Sequence, residues 1–252
     1  MLSIAQLDRQ LIQLRADYQS PAESVLRIAL IRSTQHIWEA VAQTNSYAST
    51  ELPISTPYIE QAYLQFYYES GYPFYQWARN SIPQQKRITQ DNPGGFLLSV
   101  QNFVRTSIGS RIESVTSHTR RLVRRLTDKF IRDGVSPVDA AIRMEQEWLA
   151  LSTTRARTIA ATEMVTLSGY SQTQGYYATG RELEKIWLTR GDSHVRPLQG
   201  GSFNHVSANK QRVPLDQDFI VSGQRLAYPG DPRGSRGNTI RCRCRSLALL
   251  LR

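Results

Sequence analysis

The sequence predicts an α+β fold, with a mostly helical N-terminal region followed by a small, loop-rich α+β C-terminal module. Up to Gly180, apolar residues recur at the three-to-four spacing of helices. After Gly180, four prolines and seven glycines interrupt short apolar runs, which is typical of short strands and loops. The 252 residues suffice to bury a core without staples, and the two cysteines exclude a disulfide-rich secreted class.

The first helices are marked by apolar spacing and by one strong start signal. Leu7 and Leu11 lie one helical turn apart. Residues 20–23 (Ser-Pro-Ala-Glu) combine a serine cap, a proline at the first helical position and a glutamate at the third. This pattern predicts the start of a new helix, which runs to about Ala42. Residues 48–57 contain two prolines and are predicted to be a connector.

Residues 58–77 contain nine aromatic side chains but almost no lysine or arginine. A surface that stacks on nucleic-acid bases also needs basic groups for the backbone. We therefore interpret this segment as helix core or a protein interface. Residues 81–95 contain two prolines, two glycines and polar filler, so we expect the break between the two halves of the chain there.

The second helical stretch runs from Phe96 to Gly134, as one long helix or two in sequence. It has a near-heptad apolar stripe crowded by arginines, and Gly134 suits a C-terminal cap. The arginines are Arg120, Arg121, Arg124, Arg125 and Arg132. Residues 136–139 (Ser-Pro-Val-Asp) open the next helix, and Ser152 or Thr153 caps a further one that ends at Gly180.

The C-terminal part contains short strand-like pieces, predicted at residues 185–188, 218–221, 225–228 and 239–244. We therefore divide the chain into three consecutive regions. They are a helical N-terminal region (1–92), a helical connector (93–151) and the C-terminal module (152–252).

The net charge of +10 is concentrated in two blocks, because residues 100–135 carry +5 and residues 181–252 carry +7. Such blocks favour a polyanion or an acidic protein surface as partner, although a merely solvated surface has the same composition. Residues 247–251 form the longest apolar run near an end, far shorter than the ~20 residues of a membrane helix. The N-terminus also lacks a secretory pattern, so we expect no membrane partner.

Five sequence elements follow one another in the last hundred residues. They are Ile-Ala-Ala-Thr-Glu at 159–163, a strand with Trp187, a Thr-Arg-Gly-Asp-Ser-His turn at 189–194, a Tyr-Pro-Gly-Asp-Pro turn at 228–232 and Asn-Thr-Ile-Arg-Cys-Arg-Cys at 238–244. This order resembles the phage Mu protein F-like family, also called the head morphogenesis or minor capsid protein family. The resemblance covers about residues 150–246, and its motif residues are Thr162, Glu163, Trp187, Asp192, Tyr228, Gly230 and Asp231.

The resemblance implies a virion protein made in the host cytoplasm and located in the capsid interior or at the portal vertex. It implies a role in prohead assembly, DNA packaging or genome delivery. The implied partners are the portal protein, the scaffold or major capsid protein, and the backbone of packaged DNA.

Several motif residues have simple structural interpretations. Pro229, Gly230 and Asp231 are typical of a turn that the aspartate caps. Glu163 is expected to accept a hydrogen bond from Arg190 or Arg196 and so to lock its helix onto the C-terminal module.

Cys242 and Cys244 are predicted to alternate along the last strand, so that both sulfurs lie on one face. Two thiolates with one or two imidazoles could bind a structural zinc ion, for which we select His194; His205 lies in a preceding loop as well. The alternative interpretation is two small buried hydrophobic side chains. A disulfide between them is disfavoured, because Cα atoms two residues apart in a strand lie ~7 Å apart.

The C-terminal arginines are the predicted contacts to a polyanion or an acidic partner, since a guanidinium suits phosphates and carboxylates. They are Arg233, Arg236, Arg241, Arg243 and Arg245. The sequence contains no Walker loop, no HExxH and no Gly-x-Ser-x-Gly, so we expect no enzyme. The alternatives are a zinc-dependent, nuclease-like DNA-processing enzyme and a non-viral DNA-binding protein.

Overall fold

A computed structural model describes residues 2–83, 92–196 and 203–251 of the chain. Its helical part comprises α1 (Ile4–Thr44), a 3-10 turn (Tyr47–Glu51), α2 (Thr56–Ser81), α3 (Pro93–Phe103), a π-helical turn (Val104–Ile108), α4 (Gly109–Arg132) and α5 (Pro137–Tyr177). The C-terminal part comprises β1 (Leu183–Leu188), β2 (Arg212–Pro214), β3 (Phe219–Val221), β4 (Gln224–Leu226), α6 (Arg236–Thr239) and β5 (Arg245–Leu250). The predicted α+β class, with helices first and a small sheet region last, is confirmed.

The described strands form two antiparallel sheets. β1 lies between β2 and β5 in a three-stranded sheet, and β3 pairs with β4 in a hairpin. The register of the first sheet places Lys185 opposite Val213 on one side and Ala248 on the other. Because β1 is the central strand, its side chains are mostly buried.

Helix α1 continues through Pro21, so the predicted helix start at residues 20–23 is wrong. The buried positions of α1 keep one helical spacing on both sides of the proline, and a continuous stripe favours a continuous helix. These positions are Leu7, Leu11, Ala22, Leu26, Leu30, Ile37 and Val41. Proline deletes one backbone hydrogen bond, a cost that the packing of both flanks offsets.

Helix α5 likewise runs without the predicted restart at residues 152–153. The hydroxyls of Ser152 and Thr153 donate to the carbonyl of Leu149, at 3.1 and 2.7 Å, instead of accepting from a helix N-terminus. The predicted start of α5 is confirmed, because Ser136 Oγ accepts from the Asp139 N–H at 3.1 Å. Gly134, the predicted cap of α4, has a positive φ of 65°.

The contacts group the chain into two compact units, each built from segments that are distant in sequence. The first unit comprises residues 1–20, 67–101 and 160–252, and the second comprises 21–66 and 102–159. This grouping differs from the three consecutive regions that the sequence suggested. In the second unit, Trp38 packs edge-on against Phe130, with ring centroids 6.5 Å apart.

The first unit contains the C-terminal module together with the start of α1 and parts of α2 and α5. One core cluster of this unit surrounds Trp187 and includes Phe219, Leu226 and both cysteines. The aromatic segment of α2 contributes buried side chains such as Phe74, as expected of core. The last predicted strand, 239–244, is wrong: residues 236–239 form a helical turn, and β5 begins only at Arg245.

Candidate functional site

The sequence motifs of the C-terminal module meet on one face of α5. Thr162 Oγ1 accepts the backbone N–H of Arg241 at 3.1 Å. One turn later, Thr166 Oγ1 donates to the carbonyl of Gly230 at 2.8 Å. Both threonine side chains are buried. The helix thereby holds the turn before Cys242 and the Tyr-Pro-Gly-Asp-Pro turn in fixed positions.

The Tyr-Pro-Gly-Asp-Pro turn depends on a glycine and an aspartate. Gly230 has a φ of 83°, and a Cβ at this position would lie 2.8 Å from the backbone nitrogen of Thr166. Asp231 is buried, and its two carboxylate oxygens accept the N–H groups of Ala227 and Arg233 at 2.7 and 3.0 Å. The predicted aspartate cap of this turn is therefore present.

Glu163 is buried in α5, where its Oε2 accepts the hydroxyl of Tyr67 at 2.6 Å. The predicted partners lie elsewhere. Arg190 pairs with Asp192 at 3.2 Å, and Arg196 donates to the carbonyl of Ile240. The predicted hydrogen bond to Glu163 from Arg190 or Arg196 is thus wrong, and a tyrosine from α2 donates to this carboxylate.

Trp187 is the central aromatic side chain of the module. It is fully buried on β1, and its ring lies edge-on to Phe219 and His205, with centroids 5.3 and 6.1 Å apart. This packing brings the loop that carries His205 against the core.

His205, Cys242 and Cys244 form a buried cluster. His205 Nδ1 lies 3.6 Å from Cys242 Sγ and 3.4 Å from Cys244 Sγ, and all three potential ligand atoms lie within 4.8 Å of one another. Each of the three residues is only 2% exposed. Among the residues that the structure describes, they are the only group of three or more His, Cys, Asp or Glu with this convergence.

Asn238 determines which nitrogen of His205 faces the sulfurs. Its Nδ2 donates to the carbonyl of Val221 at 3.3 Å and to Gln224 Oε1 at 3.0 Å. Its Oδ1 therefore faces His205 Nε2, 3.1 Å away, and must accept from it. A neutral imidazole that carries its proton on Nε2 presents the lone pair of Nδ1 to both cysteines.

The environment of the two thiols favours one negative charge. A hydrogen bond from Cys244 holds the pKa of Cys242 well below its usual range, although burial opposes this shift. The same pairing raises the pKa of Cys244, since both thiols cannot ionise together without a cation between them. Arg15 provides a nearby positive charge and donates from Nη1 to the Cys244 carbonyl at 3.0 Å.

His194, which we predicted as the zinc-ligating histidine, is not part of this cluster. It is exposed in a turn where Asp192 Oδ1 accepts its backbone N–H at 3.1 Å. That local hydrogen bond fixes the turn at the surface, whereas His205 is drawn inward by Trp187 and Asn238. The prediction is therefore corrected to His205.

The C-terminal arginines are largely engaged within the chain. Arg245 is buried and pairs with Asp8, Arg243 pairs with Asp192, and Arg233 bridges Asp218 and Asp231. Arg245 is thus corrected from a partner-binding residue to an internal one, because its guanidinium is only 7% exposed. Arg236 and Arg241 remain exposed.

Sequence reasoning missed three residues of this site. Asn238 stands in the quoted Asn-Thr-Ile-Arg-Cys-Arg-Cys motif, and its place in that motif, four residues before Cys242, was the available signal. Arg15 and Asp8 contact the module from α1, across more than 220 residues of sequence. No local pattern indicates such contacts.

Comparison with known proteins finds one distant relative. The chain is similar to YqbB, an uncharacterized protein of Bacillus subtilis (strain 168), with 23% identity over 145 residues. The matched segment is 57% of this chain and 46% of YqbB, so the chain spans about half the length of that relative. No protein-family model and no solved structure matches the chain. Within the described residues, none of the helices has the length and apolar character needed to cross a membrane.

Proposed function

We propose that this chain is a minor head protein of a phage, a portal-associated virion component that acts by binding rather than by catalysis. The observation that carries the proposal is the convergence of the resemblance motifs. Thr162, Gly230 and Asp231 all serve as internal supports of one compact module. The residues that carry the sequence resemblance to the head morphogenesis family thus hold the module together, which favours a binding role over catalysis.

The exposed arginines of α4 are the best candidates for contact with an acidic partner. The apolar stripe of α4 is buried, whereas Arg121, Arg124, Arg125 and Arg132 are exposed. Their spacing places them on one face of the helix. Arg124 pairs with Glu51, but both side chains are more than half exposed, so the pair is weak and can exchange for another carboxylate or a phosphate.

The alternative of a zinc-dependent DNA-processing enzyme has less support. Such an enzyme needs a metal that water and the scissile phosphate can reach. The side chains of His205, Cys242 and Cys244 are all buried, which suits a structural role better.

Co-purification tests the proposal directly. The full chain is co-expressed with the portal protein of the genome that encodes it, and the portal oligomer is isolated on a density gradient. We expect the chain to migrate with the portal and to be present in purified proheads. Its absence from both would contradict the proposal, as would catalytic turnover of DNA by the purified chain.

A charge-reversed variant tests the surface of α4. We expect the double variant Arg121→Glu/Arg125→Glu to bind the portal at least tenfold more weakly, because two attractive contacts become repulsive. The matched control is Lys210→Glu/Arg225→Glu, which changes the net charge equally; both residues are exposed and lie outside α4. Equal loss in both variants would indicate a nonspecific effect of net charge.

A further inference from the structure

The geometry points to a buried zinc site formed by His205 Nδ1 and the Sγ atoms of Cys242 and Cys244. This inference goes beyond the proposed function and does not depend on it. Two thiolates and one imidazole are donors that select zinc over magnesium or calcium, which prefer oxygen.

The distances between the donor atoms match a tetrahedral ion. With Zn–S and Zn–N bonds of ~2.3 and ~2.05 Å, the edge between nitrogen and sulfur is ~3.6 Å long. The two edges in the structure measure 3.6 and 3.4 Å. Both nitrogen–sulfur separations thus already suit a shared zinc ion, and all three donor atoms lie within 4.8 Å of one another.

The histidine is also oriented as metal ligands are. A ligating imidazole nearly always donates its second N–H to an oxygen, which fixes the tautomer and the plane of the ring. Asn238 accepts that N–H at 3.1 Å, and its own amide nitrogen is held by the carbonyl of Val221 and by Gln224. Asn238 is fully buried, so its amide is a fixed acceptor and acts as a positioning residue for His205.

Two buried donors lie beside the cluster. Arg15 Nη2 has no hydrogen-bond partner among the described residues, and the side chain of Trp187 donates toward Cys244. Arg15 contacts the carbonyl of Cys244, and Trp187 packs in the same core cluster as both cysteines. Negative thiolates would stabilise both donors better than neutral thiols would, and the thiolate is the form that binds zinc.

The ion would hold together two loop segments that the pairing of the strands does not connect. His205 lies in the segment between β1 and β2, and the cysteines lie between α6 and β5. Among the described residues, no fourth His, Cys, Asp or Glu joins these three donors. Because the donors are buried, the role of the ion is structural.

Metal analysis of the full chain tests the site. The protein is purified without a histidine tag and without chelators, and its zinc content is measured by mass spectrometry. We expect one zinc ion per chain. After exchange for Co²⁺, we expect thiolate-to-cobalt charge-transfer absorption and the visible bands of tetrahedral cobalt. Absence of both zinc and the charge-transfer band from the folded wild-type chain would overturn the inference, and this result does not depend on any variant.

Variants then locate the site. His205→Ala and Cys242→Ser should lose the metal, whereas His194→Ala, the matched exposed histidine, should keep it. Asn238→Ala should bind zinc about 10- to 100-fold more weakly, as expected of a residue that orients a ligand. Full zinc occupancy in His205→Ala, or loss in His194→Ala, would contradict the assignment. Failure of the portal interaction would leave this result unaffected, so the two proposals are separately testable.

Discussion

A buried lysine at the centre of β1 is the most unusual single residue of the module. Lys185 is only 4% exposed; its Nζ donates to the carbonyl of Ala227 at 2.8 Å and lies 5.2 Å from the centroid of the Phe219 ring. Burial lowers the pKa of Lys185 to about 8, although Asp218 and Asp231 partly oppose this shift. The backbone carbonyl and the aromatic ring thus partly compensate for the loss of water around the buried ammonium group.

Because of Lys185, we expect the free energy of unfolding to change with pH in the alkaline range. The ordinary pKa of lysine is about 10.5, so between pH 8 and pH 10.5 the unfolded chain binds more protons than the folded one. The contribution of Lys185 to the unfolding free energy therefore rises with pH across this window. We expect Lys185→Met to be more stable than wild type by about 1–2 kcal/mol at pH 7, after allowance for solvent screening.

Urea unfolding at pH 7, 8.5 and 10 measures this effect. The advantage of Lys185→Met over wild type should shrink as the pH rises. A difference that stays constant between pH 7 and pH 10 would show that the lysine is not the titrating group.

Gly230 is required for two separate reasons, and a matched glycine separates them. Gly223 also has a positive φ, 75°, but a Cβ there would meet no atom within 4 Å, whereas at Gly230 it would meet the backbone of Thr166. We expect Gly223→Ala to cost about 1 kcal/mol from backbone strain alone. Gly230→Ala should cost about 2–4 kcal/mol, because overpacking against α5 is added. Chemical unfolding of both variants gives the comparison, and equal costs would contradict the close contact.

At the scale of elements, α1 shows that packing can override a strong local signal. Residues 20–23 carry every feature of a helix start, yet the helix passes through Pro21. Proline inside a helix costs up to ~3 kcal/mol, because it lacks the N–H and crowds the preceding turn. The free energy gained by burying the apolar side chains on both sides of the proline exceeds that cost.

Replacing this proline should therefore stabilise the chain. Pro21 is exposed, so Pro21→Ala restores a helical N–H without disturbing a buried contact. We expect the free energy of unfolding to rise by about 1–2 kcal/mol. The restored hydrogen bond stabilises the helix, but the unfolded chain without proline is more flexible, which offsets part of that gain. Thermal unfolding measures it, with Ser20→Ala, an exposed neighbour, as the control near zero. A destabilised Pro21→Ala would mean that α1 needs the proline.

At the scale of the whole molecule, residues 1–20 belong to the same compact unit as residues 160–252. Asp8 pairs with Arg245, whose Nη2 lies 2.9 Å from Asp8 Oδ2. Arg15 donates from Nε to Ser168 Oγ at 2.8 Å. The start of α1 is therefore part of the structure that supports the C-terminal module.

The pair between Asp8 and Arg245 predicts an asymmetric response to mutation. Asp8→Ala leaves the buried guanidinium of Arg245 without its carboxylate and should cost about 3–5 kcal/mol. Arg245→Met removes the charge and keeps apolar volume, so it should cost much less. Urea unfolding of both variants provides the test. A larger loss for Arg245→Met than for Asp8→Ala would show that the pair itself, rather than the unpaired charge, dominates.

The features predictable from the sequence were those that depend on neighbouring residues. The fold class, the cap at Gly134, the start of α5 and the aspartate-capped turn at 228–232 rest on local spacing and backbone preferences. The strand predicted at 239–244 is wrong because the hydrogen bond from the Arg241 N–H to Thr162 of α5 and the packing of both cysteines in the core hold that segment outside the sheet.

The candidate site divides in the same way. Its two cysteines and the surrounding motif were predictable from the order of residues, since a Cys-x-Cys pair shortly after a Tyr-Pro-Gly-Asp-Pro turn is a local pattern. Only the tertiary structure decided that His205 rather than His194 meets the sulfurs, and that Arg245 faces inward to Asp8. Burial and charge pairing act across the whole chain, so residues far apart in sequence determine which side chains become ligands and which remain at the surface.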